Sequence, residues 1–263
     1  MSIESRDRHH LYQASVQDPE SEMDFVYNTF KSLRKCPPRK LREDFCGTAY
    51  SSCHWVSRDD RNTALAIDLD EEVLDWGMHN NLSELTDTQK KRITLLKGDV
   101  LEAPQEGFDA VLAMNFSYYL FMQRETMLQY FKTVFNSLGD EGIFFLDAYG
   151  GYDAPREIEE TRHLEGFDYI WDQAEFDPVT GKMQCYIHFT FPDGERMDKA
   201  FSYCWRLWTL PELQEILTEA GFSGVSIYWE QTDEKTGEGN GEFKKATSGD
   251  ADAGWICYIV SEK

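Results

Sequence analysis

No apolar run in the 263 residues approaches the roughly 20 that a membrane-crossing helix needs, so no membrane partner is expected. Positive charge is scarce: 26 lysines and arginines stand against 48 aspartates and glutamates, a net charge of −22. Phosphate backbones are bound by basic surfaces, so no nucleic acid partner is expected. The acidic balance suits solubility and is compatible with a cationic or zwitterionic small molecule. Cys-x-x-Cys pairs are missing. The six cysteines (Cys36, Cys46, Cys53, Cys185, Cys204 and Cys257) are spread over the whole chain, the pattern of free thiols and not of a disulfide frame. Cys46, Cys53 and His54 lie close together, but their spacing matches no usual zinc pattern and no second ligand pair follows, so no metal is expected. The first ten residues are polar and charged, unlike a secretory signal, and a cytoplasmic location is the expectation.

What is present is enough for a large core: 41% of the residues are hydrophobic and 14% of the chain is aromatic, which excludes wholesale disorder. Between residues 40 and 147 short apolar runs alternate with amphipathic stretches. Strands are expected at residues 41–45, 64–67, 93–97, 108–114 and 143–146, and helices at 50–58, 71–85 and 124–138. In the last helix Leu128, Phe131, Phe135 and Leu138 share a face, and Gly139 is its expected stop. This alternation implies an α/β fold, a parallel sheet covered by helices on both faces.

The pattern changes after residue 151. Residues 167–208 read as three antiparallel strands separated by Asp177-Pro178-Val179-Thr180-Gly181 and Pro192-Asp193-Gly194. In the middle strand Cys185, Ile187, Phe189 and Phe191 share one face, and Gln184, Tyr186, His188 and Thr190 the other. Thr209 and Glu212 form a capping box for a helix that Gly221 ends. Two closing strands, 224–230 and 255–261, form an antiparallel pair, and the polar, glycine-rich segment 231–254 between them reads as a mobile loop. The expected organisation is a core of residues 1–151 and 209–263 carrying a lid-like insertion, 152–208.

Acids close three successive strands. The first runs into Glu43-Asp44-Phe45-Cys46-Gly47-Thr48-Ala49, where Gly47 lets backbone approach a ligand closely. Asp68 closes the second, about twenty residues on, where a carboxylate can accept from ribose hydroxyls. Asp99, in Gly98-Asp99-Val100, follows the third and could accept from an adenine amino group.

This order resembles the class I S-adenosylmethionine-dependent methyltransferases, of the branch with a small antiparallel insertion after the fifth strand. The similarity covers residues 40–150 and 205–263. The family's first loop usually reads Asp-x-Gly-x-Gly-x-Gly; here the acid and middle glycine are kept, Phe45 and Ala49 replace the outer glycines, and Cys46-Gly47-Thr48 is a common core of the loop. The resemblance implies a Rossmann-like sheet of seven strands with the last one antiparallel, plus the three-stranded insertion. It implies S-adenosylmethionine as cofactor and S-adenosylhomocysteine as product. Glu43, Phe45, Gly47, Thr48 and Ala49 would contact the methionine part. Asp68 and Leu69 would meet the ribose, Asp99 and Val100 the adenine, and Asn115 would face the methyl-transfer region. Tyr12 and Gln13 are candidates to fold over the cofactor, where an aromatic ring gains about 0.5–2 kcal/mol beside a cationic sulfur. Arg42 is a candidate partner for the cofactor carboxylate.

Methyl transfer is an in-line displacement, and alignment can supply much of its acceleration. For the acceptor, Tyr118, Tyr119 and Tyr149 follow the fourth and fifth strands and are candidate walls for a methylammonium-like group. If the insertion covers the cleft with its polar face, Tyr186 lines it, Arg206 holds a substrate carboxylate and His188 serves as base. The resulting expectation is methyl transfer to a nitrogen or oxygen of a small molecule. A nicotinamide-dependent oxidoreductase shares the loop and Asp68, but the Gly-x-Gly-x-x-Gly fingerprint is absent and Asp99 and the closing pair have no place in it. A non-catalytic cofactor-binding protein is the other alternative.

Overall fold

The computed structural model describes residues 6–105, 107–233 and 239–263. Two helices come first, α1 (Arg8–Val16) and α2 (Pro19–Arg34). Strands and helices then alternate: β1 (Lys40–Asp44), α3 (Tyr50–Arg58), β2 (Thr63–Asp68), α4 (Glu71–Asn80), the short α5 (Asp87–Lys90), β3 (Ile93–Lys97), β4 (Phe108–Ala113), α6 (Arg124–Ser137) and β5 (Leu138–Gly150). Four strands follow in sequence, β6 (Ile158–Leu164), β7 (Phe167–Phe176), β8 (Lys182–Thr190) and β9 (Arg196–Arg206). The chain closes with α7 (Leu210–Ala220), β10 (Gly224–Thr232), β11 (Gly239–Ala246) and β12 (Trp255–Glu262).

Eight strands make one sheet in the order β11-β10-β12-β5-β4-β1-β2-β3. β1 pairs in parallel with β2 on one side and with β4 on the other. The chain thus winds outward from β1 to β3 and returns to the far side of β1. The crevice at that reversal, beyond the carboxyl tips of β1 and β4, is where open α/β sheets hold ligands. β12 runs antiparallel to β5 and β10, as the reversed closing pair predicts. The sheet is thus the expected Rossmann-like one, with an eighth strand at its edge.

That eighth strand corrects the reading of residues 231–254 as a loop, since β11 pairs antiparallel with β10. Its Phe243 packs on Tyr258 and Phe25, with ring centroids 4.4 and 5.9 Å apart, and one buried ring among glycines and charges leaves no alternation to read. The insertion has four strands where three were expected. β6 pairs with β7 at the edge, and its middle residues are exposed on both faces, so it too lacks a period-2 signal. α6 ends at Ser137, and Gly139 lies inside β5, which starts at Leu138, five residues earlier than expected. The buried face of α6 is Met127, Tyr130, Phe131 and Val134, rotated by one position from the expected stripe. α4 stops at Asn80, and a 3₁₀ turn at Leu82–Glu84 carries the rest of that segment.

Both sheet faces are covered. On one, Phe108, Val111, Phe144 and Leu146 pack against α6 and α7. On the other, Leu41, Leu112, Ile143 and Phe145 pack against Val26 of α2 and Trp55 of α3. The capping box of Thr209 and Glu212 forms as expected, and Gly221 ends α7 in the left-handed region. Among the described residues no helix is long and apolar enough to cross a membrane.

Candidate functional site

The loop after β1 has an alternating backbone. Phe45, Gly47 and Ala49 all have positive φ, 56°, 53° and 55°. These are the three positions of the glycine pattern, so Phe45 and Ala49 hold the left-handed conformation without glycine, at about 1 kcal/mol each. Packing offsets that cost. The Phe45 ring sits against Tyr130 and Phe121, with centroids 5.5 and 5.9 Å away, and Ala49 is fully buried. A Cβ placed on Gly47 would meet nothing within 4 Å, so the space above the loop is open.

Four neighbours fix the loop. Asp68 accepts the Gly47 N–H at 2.7 Å through one carboxylate oxygen and the Asp70 N–H at 2.9 Å through the other. Glu43 turns toward α3 and accepts from the Ser52 backbone N–H at 2.9 Å and from its hydroxyl, a favourable place for an acid at a helix N-terminus. Burial pushes its carboxyl up to about 8. The side chain of Asn81 donates to the Thr48 carbonyl at 2.9 Å, and that of Gln13, from α1, donates to the Thr48 hydroxyl at 2.8 Å. Gly77 of α4 presses on the same carbonyl; a Cβ there would lie 2.4 Å from the Thr48 oxygen. Gly77→Ala, which in an ordinary helix stabilises by about 1 kcal/mol, is therefore expected to destabilise by about 1–3 kcal/mol, as a urea melt would show.

Asp68 is half-buried at its strand tip, with Leu69 largely exposed beside it. Asp99 is exposed, accepts the Leu101 N–H at 2.9 Å, and starts a 3₁₀ turn whose Val100 is buried. The loop, Asp68 and Asp99 thus stand at the tips of β1, β2 and β3, adjacent in the sheet. Beyond β4, Asn115 and Phe116 have φ of 58° and 56°, and their N–H groups converge on the Asp147 carboxylate at 2.8 and 2.9 Å.

Arg42 is a correction. β1 alternates, so Arg42 and Asp44 point together to the α6 side, where Arg42 is fully buried and paired with Asp44 at 2.8 Å. The Tyr130 hydroxyl donates to the same carboxylate at 2.8 Å. The guanidinium is committed to the core and is not free for a cofactor carboxylate. Tyr118 and Tyr119 are also corrected. Both are fully buried, with hydroxyls donating to the backbone carbonyls of Asp147 and Tyr149 at 2.7 and 3.2 Å. They staple the segment after β4 onto β5 and offer no surface to a substrate. Tyr149 is half-buried, with its ring 4.8 Å from that of Phe116.

The insertion presents the opposite face from the one expected. Tyr169, Trp171, Ile187, Tyr203 and Phe201 pack with Leu11 and Tyr12 of α1, so the apolar face turns inward. Tyr186 and His188, one residue out of phase, lie on the outer face, a consequence of the period of 2. His188 is buried between Asp172 and Asp198, and its Nδ1 accepts the Lys199 N–H at 3.0 Å. Glu159 brings a carboxylate oxygen within 4.8 Å of the ligand atoms of Asp172 and His188. Arg206 binds Glu212 at 2.8 Å and the Met122 carbonyl at 3.2 Å, and lies 3.7 Å from the Trp208 ring, which ties β9 to α7. Arg206→Met is expected to lower stability by about 1 kcal/mol in a thermal melt while leaving ligand affinity unchanged.

Two acids went unread in the sequence. Glu22 on α2 is buried, with the Ser51 hydroxyl donating to it at 3.1 Å, and burial pushes it up to about 7. Asp147 is pushed up to about 7 by the same cause. Tyr12, whose phenol burial also raises, lies within electrostatic reach of both and of Tyr169. Tyr203 and Trp171 from the insertion pack in the same cluster as Tyr12. Asp147 had a signal, an acid ending the apolar run Ile143-Phe144-Phe145-Leu146, as Asp68 ends its own. Glu22 had none, sitting among Pro19, Met23 and Val26 on the buried face of α2.

No protein-family model matches the sequence, and no curated protein matches it. Solved structures do match by shape. A S-adenosylmethionine-dependent methyltransferase from Clostridium acetobutylicum aligns with a TM-score of 0.71 at 17% identity, over 97% of this chain and 96% of that one. An amino pentose methyltransferase from Micromonospora echinaspora, solved with S-adenosylmethionine bound, aligns with a TM-score of 0.67 at 14% identity, over 97% and 95%. A sugar N-methyltransferase from Streptoalloteichus aligns with a TM-score of 0.64 at 14% identity, over 98% and 93%. At such identities the likeness establishes the fold, insertion included, over nearly the full length.

Proposed function

We propose that this chain is a S-adenosylmethionine-dependent methyltransferase acting on the nitrogen of a small, amine-bearing molecule. The observation that carries the reading is the loop after β1. Its backbone keeps three alternating left-handed residues although two of the glycines are replaced, and Asp68 holds its middle N–H. A loop held in an unfavourable conformation at about 2 kcal/mol is the mark of a binding surface. The residues fit the cofactor: open space over Gly47 for the methionine part, Asp68 and Leu69 for the ribose, Asp99 and Val100 for the adenine, and Tyr12 with Gln13 over the top.

When bound, the cofactor supplies a methyl group made electrophilic by its sulfonium. The protein's own part is to hold the acceptor in line and receive its proton. The grouping of Tyr12, Tyr203 and Trp171 with Glu22 and Asp147 supports a cationic or zwitterionic acceptor, since aromatic faces and carboxylates both attract ammonium. Residues 152–208 serve as its lid. A carboxyl raised to about 7, as at Glu22, is matched to taking a proton from an amine near neutral pH. Two of the structural neighbours are named for amino or N-methylation, which favours nitrogen over oxygen. The test is a labelled-methyl assay over parallel panels of small amines and matched alcohols. Label is expected in amines alone; transfer only to alcohols contradicts the choice of nitrogen, and transfer to neither contradicts the enzyme.

A further inference from the structure

We infer that Asp147 is the positioning residue of this site: its carboxylate holds Asn115 and Phe116 in paired left-handed conformation and so fixes where the turn after β4 stands against the cofactor. The inference rests on the methyl-transfer reading, which puts Asn115 beside the reacting methyl. Its own support is geometric. Two consecutive non-glycine residues at φ of 58° and 56° are rare, and for a side chain as bulky as phenylalanine the conformation persists only where neighbours impose it. The imposing group is visible. One oxygen of Asp147 accepts the Asn115 N–H at 2.8 Å and the other the Phe116 N–H at 2.9 Å, on a side chain 8% exposed.

Two donors converging on one group require two acceptors, which a carboxylate provides and an amide does not. In Asp147→Asn one backbone N–H would face the NH₂ group, so the turn loses half of its clamp without losing volume. The surrounding polymer is otherwise fixed: the Tyr118 hydroxyl holds the Asp147 carbonyl and the Tyr119 hydroxyl that of Tyr149. Removing the clamp frees both N–H groups and lets the backbone of residues 115 and 116 relax toward negative φ.

The test uses S-adenosylmethionine as the probe, with affinity from calorimetry and stability from thermal melts on the same samples. Asp147→Asn is expected to weaken binding about tenfold. Adding Phe116→Gly removes the Cβ that opposes the left-handed conformation, so the double variant is expected to regain affinity to within about threefold of the parent while melting at a lower temperature than either the parent or Asp147→Asn. Recovery of affinity against falling stability is what a merely structural role would not give. Unchanged affinity in Asp147→Asn, or no recovery in the double variant, overturns the inference. A parent protein that binds no S-adenosylmethionine contradicts the cofactor reading instead, and the melts then test the clamp alone: the stability losses of Asp147→Asn and Phe116→Gly are expected to be non-additive, and strictly additive losses overturn the clamp.

Discussion

Replacing Asp68 with alanine is expected to lower affinity for S-adenosylmethionine about 100-fold, by far the largest effect of any single surface acid. The carboxylate has two tasks. It accepts the Gly47 and Asp70 N–H groups and so shapes both the loop after β1 and the start of α4. In the proposed complex it also accepts from the ribose. Hydrogen bonds to a charged group contribute about 1.5–3 kcal/mol each, and losing about 3 kcal/mol in all is a factor of about 100. Asp68→Asn keeps one acceptor and is expected to lose only about tenfold. Equilibrium dialysis with radiolabelled cofactor measures both, and equal affinities in parent and Asp68→Ala would remove Asp68 from the site.

Raising the pH from 6 to 8.5 is expected to destabilise the free protein and to strengthen cofactor binding. Glu22, Glu43 and Asp147 are raised by burial to about 7, 8 and 7, whereas in the unfolded chain carboxyls ionise near pH 4. Between pH 4 and 8 the folded state keeps protons that the unfolded state has released, so stability falls as pH rises through that window. Allowing for solvent relaxation around the ionised groups, about 2–4 kcal/mol in total is at stake, or about 5–10 °C in a thermal melt. Carboxyls whose values are lowered by exposed partners, such as Asp168 and Asp177, act below pH 4 and do not enter. A ligand carrying sulfonium and ammonium charges favours the ionised acids, so its binding releases protons near pH 7. Calorimetry in two buffers of different ionisation enthalpy counts them. A melting temperature that climbs across the window, or proton uptake on binding, would contradict this account.

The parts of the fold legible in the sequence are those where burial imposes a period. β2, β4 and the second half of β5 announce themselves because their apolar runs are covered on both faces, and α7 because its capping box and Gly221 mark both ends. β6 and β11 were illegible for the converse reason: as edge strands with exposed side chains they carry no alternation, and tertiary pairing alone makes them strands. The strand-tip acids Asp68 and Asp99 were legible because acids stand out against the apolar runs they close. On the acceptor side, sequence fixes which residues of a strand share a face but not which face turns inward. His188 and Tyr186 were therefore placed on the inward face, which Tyr203 and Trp171 occupy instead, packed on α1. Arg42 misled for a related reason, since a charged residue in β1 suggests a ligand, and its partner Asp44 stands two residues on, on the same face. Glu22 could not be found by pattern at all, because it comes to the site from a helix distant in sequence from every strand tip.

Everything above depends on the tips of β1, β2 and β3 holding one adenosyl ligand. Isothermal calorimetry with S-adenosylmethionine and, separately, with NADH tests this most directly. A saturable, one-to-one heat with S-adenosylmethionine and none with NADH is the predicted result. Saturable binding of NADH with no heat from S-adenosylmethionine would contradict it.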